Sequence, residues 1–111
     1  MKTENGFEKI CHISDLKEKT GKRFFVNDTD IAVFKVDGEI FAVGNICPHQ
    51  KTPLMFEGII ENCNVICPVH GWEFNLKDGT KPSGSKGLDT YKVNLINDFV
   101  YVKVLSKKLN W

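Results

Sequence analysis

Apolar residues along this chain recur at every second position or in short unbroken runs. Nowhere do they hold the spacing of a helix for more than about two turns. The best helical candidate is the short stretch ISDLKEKTG, residues 13–21. Strand signals dominate instead. Phe24–Val26, Ile31–Val36 and Glu39–Val43 are rich in β-branched and aromatic residues, and Asp37-Gly38 between the last two predicts a two-residue hairpin turn. Ile59-Ile60, Asn64–Ile66 and Trp72–Phe74 are shorter and separated by turn residues, with Asp78-Gly79 closing another expected hairpin. Thr90–Ile96 and Phe99–Val104 alternate with period two around Asn97-Asp98. Many short antiparallel strands without a repeat predict an all-β chain folded as a small sandwich or barrel.

Composition narrows the function more than the fold. At 111 residues the chain is expected to form one domain with one site. Its 15 basic and 14 acidic residues leave a net charge of +1 with no long block of one sign, which argues against a nucleic-acid partner. The locally basic end VKVLSKKLNW reads as a solvated tail. No stretch approaches the roughly 18 apolar residues of a membrane span, and the start MKTENGFEK has no apolar core of a secretion signal. The expectation is a cytoplasmic protein with no membrane partner. There cysteines stay reduced and serve as metal ligands more readily than as disulfides. For the same reason the glycosylation pattern Asn27-Asp28-Thr29 is read as chance.

The chemistry is concentrated in two similar phrases, CPHQKTP at 47–53 and CPVHGW at 67–72. They use two of the four cysteines and two of the three histidines, as Cys47-x-His49, seventeen residues, then Cys67-x-x-His70. Each follows a strand signal and precedes glycine or proline, so both are expected at hairpin tips. Three arrangements compete. A structural zinc site has the right ligand count, but structural zinc sites usually pair cysteine with cysteine and histidine with histidine. Unrelated core cysteines and surface histidines would not explain the repeated Cys-Pro. A two-iron, two-sulfide cluster with two thiolates on one iron and two imidazoles on the other fits one Cys and one His per loop, because each loop then reaches both irons.

At these residues the chain resembles the Rieske-type [2Fe-2S] ferredoxins, and is similar to the small subunit of NAD(P)H-dependent nitrite reductase. The resemblance runs from FEKICHISDL through IAVFKVDGEIFAVGNICPHQ and CPVHGWEFNLKDG to YKVNLINDFVYVKV. It implies Cys47 and Cys67 on the buried iron, His49 and His70 on the outer iron through Nδ1, and one cluster per chain. It also implies a base of about residues 1–45 and 80–111, with a cluster-binding subdomain of about 46–79 inserted. High-potential relatives carry a disulfide between the loops at the positions of Thr52 and Val69. They also carry a serine and a tyrosine where this chain has Trp72 and Phe74. Fewer donors to sulfur imply a potential toward the low end of the Rieske range.

What the resemblance implies for function is a soluble electron carrier rather than an enzyme. It would take an electron from a flavin-containing reductase and pass it to a terminal oxygenase or nitrite reductase; a permanent nitrite reductase subunit is the alternative. An electron on the cluster would favour protonation of the exposed His49 and His70 edges, so the potential is expected to fall as pH rises. A mononuclear oxygenase site needs two further histidines, and only His12 is left. Cys11 reads as a small buried hydrophobe of the first strand, Cys63 as lying before the strand rather than at its tip, and His12 as an exposed strand end. Pro48, Pro68, Gly71 and Pro82 are expected to shape the loops. Lys51, Glu57, Glu61, Glu73 and Lys77 are mixed in sign and name no partner.

Overall fold

A computed structural model describes residues 7–47, 51–68, 71–84 and 87–104. Among the described residues nine strands run in chain order: β1 Phe7–His12, β2 Gly21–Val26, β3 Thr29–Val36, β4 Glu39–Gly44, β5 Ile59–Glu61, β6 Asn64–Ile66, β7 Glu73–Asn75, β8 Thr90–Ile96 and β9 Phe99–Lys103. Six of them form one antiparallel sheet in the order β1-β9-β8-β4-β3-β2, and β5-β6-β7 form a second. The larger sheet curls until its edges β1 and β2 touch, giving a nearly closed barrel. No helix among the described residues is long and apolar enough to cross a membrane.

Turn chemistry fixes the registers. Asp37-Gly38 joins Val36 to Glu39 with φ of 52° and 82°, and Asn97-Asp98 joins Ile96 to Phe99 with 51° and 67°. Positive φ at both central residues gives a turn whose twist matches the flanking strands. Asn27-Asp28 (51° and 62°) does the same between Val26 and Thr29, so the residues that mimic a glycosylation pattern are a hairpin turn. Asn62-Cys63 (50° and 64°) closes β5 onto β6. The helical candidate shrinks to a 3-10 turn, Ile13–Asp15, capped by His12. Its one deeply buried apolar residue, Leu16, is too little to hold a longer helix against the barrel.

The run IAVFKV is apolar on both faces because β3 is a wall between two cores. Ile31 and Val33 face the barrel interior with Val26, Ala42, Val100, Val102 and Val104. Ala32, Phe34 and Val36 face the other way, into a core shared with Val43, Met55, Val65, Phe74, Leu76 and Leu88. Burying a side chain such as Phe34, which is 0% exposed, contributes about 2–3 kcal/mol. The barrel thus supplies a stiff floor, and the small sheet packs on it.

Candidate metal centre

Cys47 and Cys67 both belong to the second of these cores, and each is 1% exposed. Each heads a loop of the same closure. The Cys47 amide donates to the Thr52 carbonyl (3.0 Å) and the Lys51 amide donates back to the Cys47 carbonyl (2.6 Å). The Cys67 amide donates to the Trp72 carbonyl (2.7 Å) and the Gly71 amide donates back to the Cys67 carbonyl (2.9 Å). The fifth residue of each loop is left-handed, Lys51 at 59° and Gly71 at 73°. The two Cys-Pro phrases are therefore closed by the same pair of backbone bonds. A third copy stands at Asn75–Thr80, with the Asn75 amide on the Thr80 carbonyl (2.8 Å), the Gly79 amide on the Asn75 carbonyl (2.7 Å) and Gly79 at 77°. That is the expected Asp78-Gly79 turn, closed as a loop rather than a hairpin, with β8 the next strand among the described residues.

His49 and His70, with Pro48 and Val69, lie outside the described residues. The loops that carry them are bracketed by the four backbone bonds above. Only the second loop is a hairpin tip, since Ile66 pairs with Glu73 across it. The first is a crossover: β4 ends at Gly44, and the chain runs through a 3-10 turn, Met55–Glu57, into the other sheet. The sequence suggested two hairpin tips because a strand signal precedes both phrases, but β4 finds its partners in β3 and β8.

The remaining candidates sit elsewhere. Cys63 lies in the turn at the opposite end of β6 from Cys67, about 13 Å away at roughly 3.3 Å per residue. Burial raises its thiol pKa, and burial raises that of Cys11 to about 11, reinforced by Asp15. Both shifts disfavour the thiolate that a metal needs. His12 is partly buried rather than exposed. Its Nδ1 accepts from the Ser14 amide (3.1 Å), and its ring meets Phe99 edge-on at 5.0 Å. Trp72 stacks under the Lys81 ammonium at 4.6 Å, and Phe74, 0% exposed, puts a ring without a donor in the core.

The residues fit a thiolate-held cluster. None of the four cysteines is in a disulfide, and Cys47 and Cys67 are buried in one core. Beside Cys47 the buried Thr52 hydroxyl has no hydrogen-bond partner among the described residues, a polar atom that a native fold normally satisfies with a bound group or water. Sequence reasoning missed Asn45. It is 0% exposed, and its side chain bonds Asp30, Pro53 and Phe56. Its signal was a polar residue standing between buried Val43 and buried Cys47.

The structure thus presents a small barrel with an appended three-stranded sheet and two buried thiols at the heads of paired loops. Residues 6–91 match the Rieske [2Fe-2S] domain, and the chain belongs to that family, whose members carry one two-iron, two-sulfide cluster. The ferredoxin component of the naphthalene 1,2-dioxygenase/salicylate 5-hydroxylase systems of Ralstonia sp is 31% identical over 104 residues, 92% of this chain and 98% of its own length. Human apoptosis-inducing factor 3 is 29% identical over 102 residues, 90% of this chain, but the chain spans only 17% of that protein. A Mycobacterium tuberculosis protein described as an NADH-dependent nitrite reductase small subunit superposes with a TM-score of 0.81. It covers 86% of this chain and 92% of its own, and at 23% identity it shows the fold alone. A carbazole 1,9a-dioxygenase ferredoxin, solved in complex with its oxygenase, is 28% identical with a TM-score of 0.76, covering 86% of this chain and 99% of its own.

Proposed function

We propose that this chain is a freestanding one-electron carrier whose [2Fe-2S] cluster is held by Cys47 and Cys67 on one iron and His49 and His70 on the other. The cluster supplies one reversible electron at a time, and the protein supplies its surroundings. The observation that carries the ligand assignment is the pairing of two buried thiols at the heads of two loops of one shape. Residues of about 46–79 form the cluster-binding subdomain, and about 1–45 and 80–111 the base. Beside the thiols, Ile46 is 40% exposed and Pro68 is exposed, so the loop end offers a partner apolar surface that excludes water at the point of transfer.

The proposed partners are a flavin-containing reductase on the donor side and a terminal oxygenase on the acceptor side. The ferredoxin relative matched along nearly its whole length supports a carrier over a fixed nitrite reductase subunit. The test is the visible absorption and low-temperature EPR spectrum of anaerobically purified protein before and after dithionite. A brown protein that bleaches partly and gains a signal on reduction supports the reading. A colourless, EPR-silent protein with about one zinc per chain, the four ligands that a structural site needs, would replace it with a zinc clasp.

A further inference from the structure

The two ligand loops share a shape but not a support. The second is gripped by the β6–β7 ladder immediately before and after it. The first has no ladder on its far side, since Thr52 runs on into Pro53 and the 3-10 turn. One residue stands where the ladder would be. The Asn45 amide donates to the Asp30 carbonyl (3.0 Å) and its carbonyl accepts from the Met55 amide (3.1 Å). Its side-chain Nδ2 donates to Asp30 Oδ1 (3.0 Å) and to the Pro53 carbonyl (3.0 Å), while Oδ1 accepts from the Phe56 amide (2.8 Å). The orientation of this amide is dictated by its partners, because the Pro53 carbonyl can only accept and the Phe56 N–H can only donate. Asp30 is itself held by the Arg23 guanidinium through two bonds, 3.0 and 2.8 Å.

We infer that Asn45 is a positioning residue for the cluster. Its buried carboxamide replaces a strand pair at the base of the first loop and fixes Cys47 relative to Cys67. A chain of bonds thus runs from Arg23 on β2, through Asp30 on β3, to both ends of the crossover that carries Cys47. Asparagine suits the place because it offers two donors and an acceptor from one planar group. An aspartate keeps the acceptor, loses both donors and sets a second carboxylate against Asp30. The inference rests on Cys47 being a cluster ligand.

The test compares three holoproteins with the wild type. Asn45→Ala removes the clamp. Asn45→Ser keeps a hydroxyl that can both donate and accept at the same backbone position, a milder loss that keeps the test open if the alanine variant does not fold. Val102→Ala, in the barrel core, lowers stability without touching the loops. For each, the rate of cluster loss to a chelator is read against the melting temperature, together with the reduction potential and deuterium uptake over residues 45–57 and 64–76.

Both Asn45 variants are expected to lose the cluster about tenfold faster or more than Val102→Ala at equal melting temperature, the usual scale for residues that hold a ligand in place. Uptake should rise in 45–57 and stay unchanged in 64–76. Cluster loss that simply tracks melting temperature across all variants, with no local rise in uptake, overturns the inference. A wild type that holds no cluster overturns the proposed function instead, so the two failures are distinct.

Discussion

The loop at Cys47 and the loop at Cys67 are the same object built twice by different means. Both are closed by the same two backbone bonds, both bury a thiol at the head, and both turn left-handed at the fifth residue. One is extruded from a ladder, and the other is tied down by a buried asparagine. One relieves its left-handed turn with Gly71, and the other places Lys51 there at 59°. The geometry of these loops is thus set by the closing hydrogen bonds. The sequence is free to satisfy them through a sheet or through a single side chain.

The largest effects should come from the heads of the loops. Cys47→Ser and Cys67→Ser are each expected to abolish the visible spectrum and leave less than one iron pair per chain. Cys11→Ser and Cys63→Ser should keep the full complement, all read by iron and sulfide analysis. Full cluster in either of the first two variants would break the equivalence of the loops.

The third copy of the closure is next. A Cβ on Gly79 would lie 2.0 Å from the Leu88 carbonyl oxygen at a φ of 77°. Gly79→Ala should therefore cost on the order of 3 kcal/mol or more in chemical denaturation, from backbone overlap and left-handed strain together.

A smaller effect separates the fifth positions. A Cβ on Gly71 meets none of the described residues within 4 Å, so Gly71→Ala should cost only the conformational penalty, about 1 kcal/mol. Lys51→Gly should be near neutral, within about 0.5 kcal/mol, because relief of strain is offset by greater freedom of the unfolded chain. Equal losses from both substitutions would mean that the loops differ in shape.

The last effect lies outside both loops and shows only at alkaline pH. Burial, and then Asp15, raises the Cys11 pKa to about 11, partly opposed by Lys22. The folded state therefore keeps a proton that the unfolded chain releases near pH 9. The stability tied to this thiol is fully present below pH 9 and is lost as pH rises toward 11. Melting curves from pH 8 to 11 should fall less steeply for Cys11→Val than for the wild type.

Much of this was legible in the residues. Period-two alternation located β8 to the residue and β9 to within one, and Asp37-Gly38 and Asn97-Asp98 marked their turns, because positive φ at both central positions selects such pairs. The polar start of β2, Gly21–Arg23, was not legible. Its ladder partners on β3, not its own side chains, make it a strand. Asn27-Asp28 was hidden by a competing motif. At the site, the thiols announced themselves through Cys-Pro, whereas Asn45 has no periodicity and no motif. Its role exists only once Asp30, Pro53 and Phe56 are brought around it. Sequence locates the buried thiols better than it locates the side chain that ties down their loop.

The double-faced wall of β3 also sets an order of synthesis. Every buried residue of the thiol-bearing core lies between Ala32 and Leu88, whereas the barrel interior needs Val100, Val102 and Val104. β1 must wait for β9 before it has a neighbour to pair with. On the ribosome, every buried residue of the thiol-bearing core is therefore synthesised before the last strand that lines the barrel.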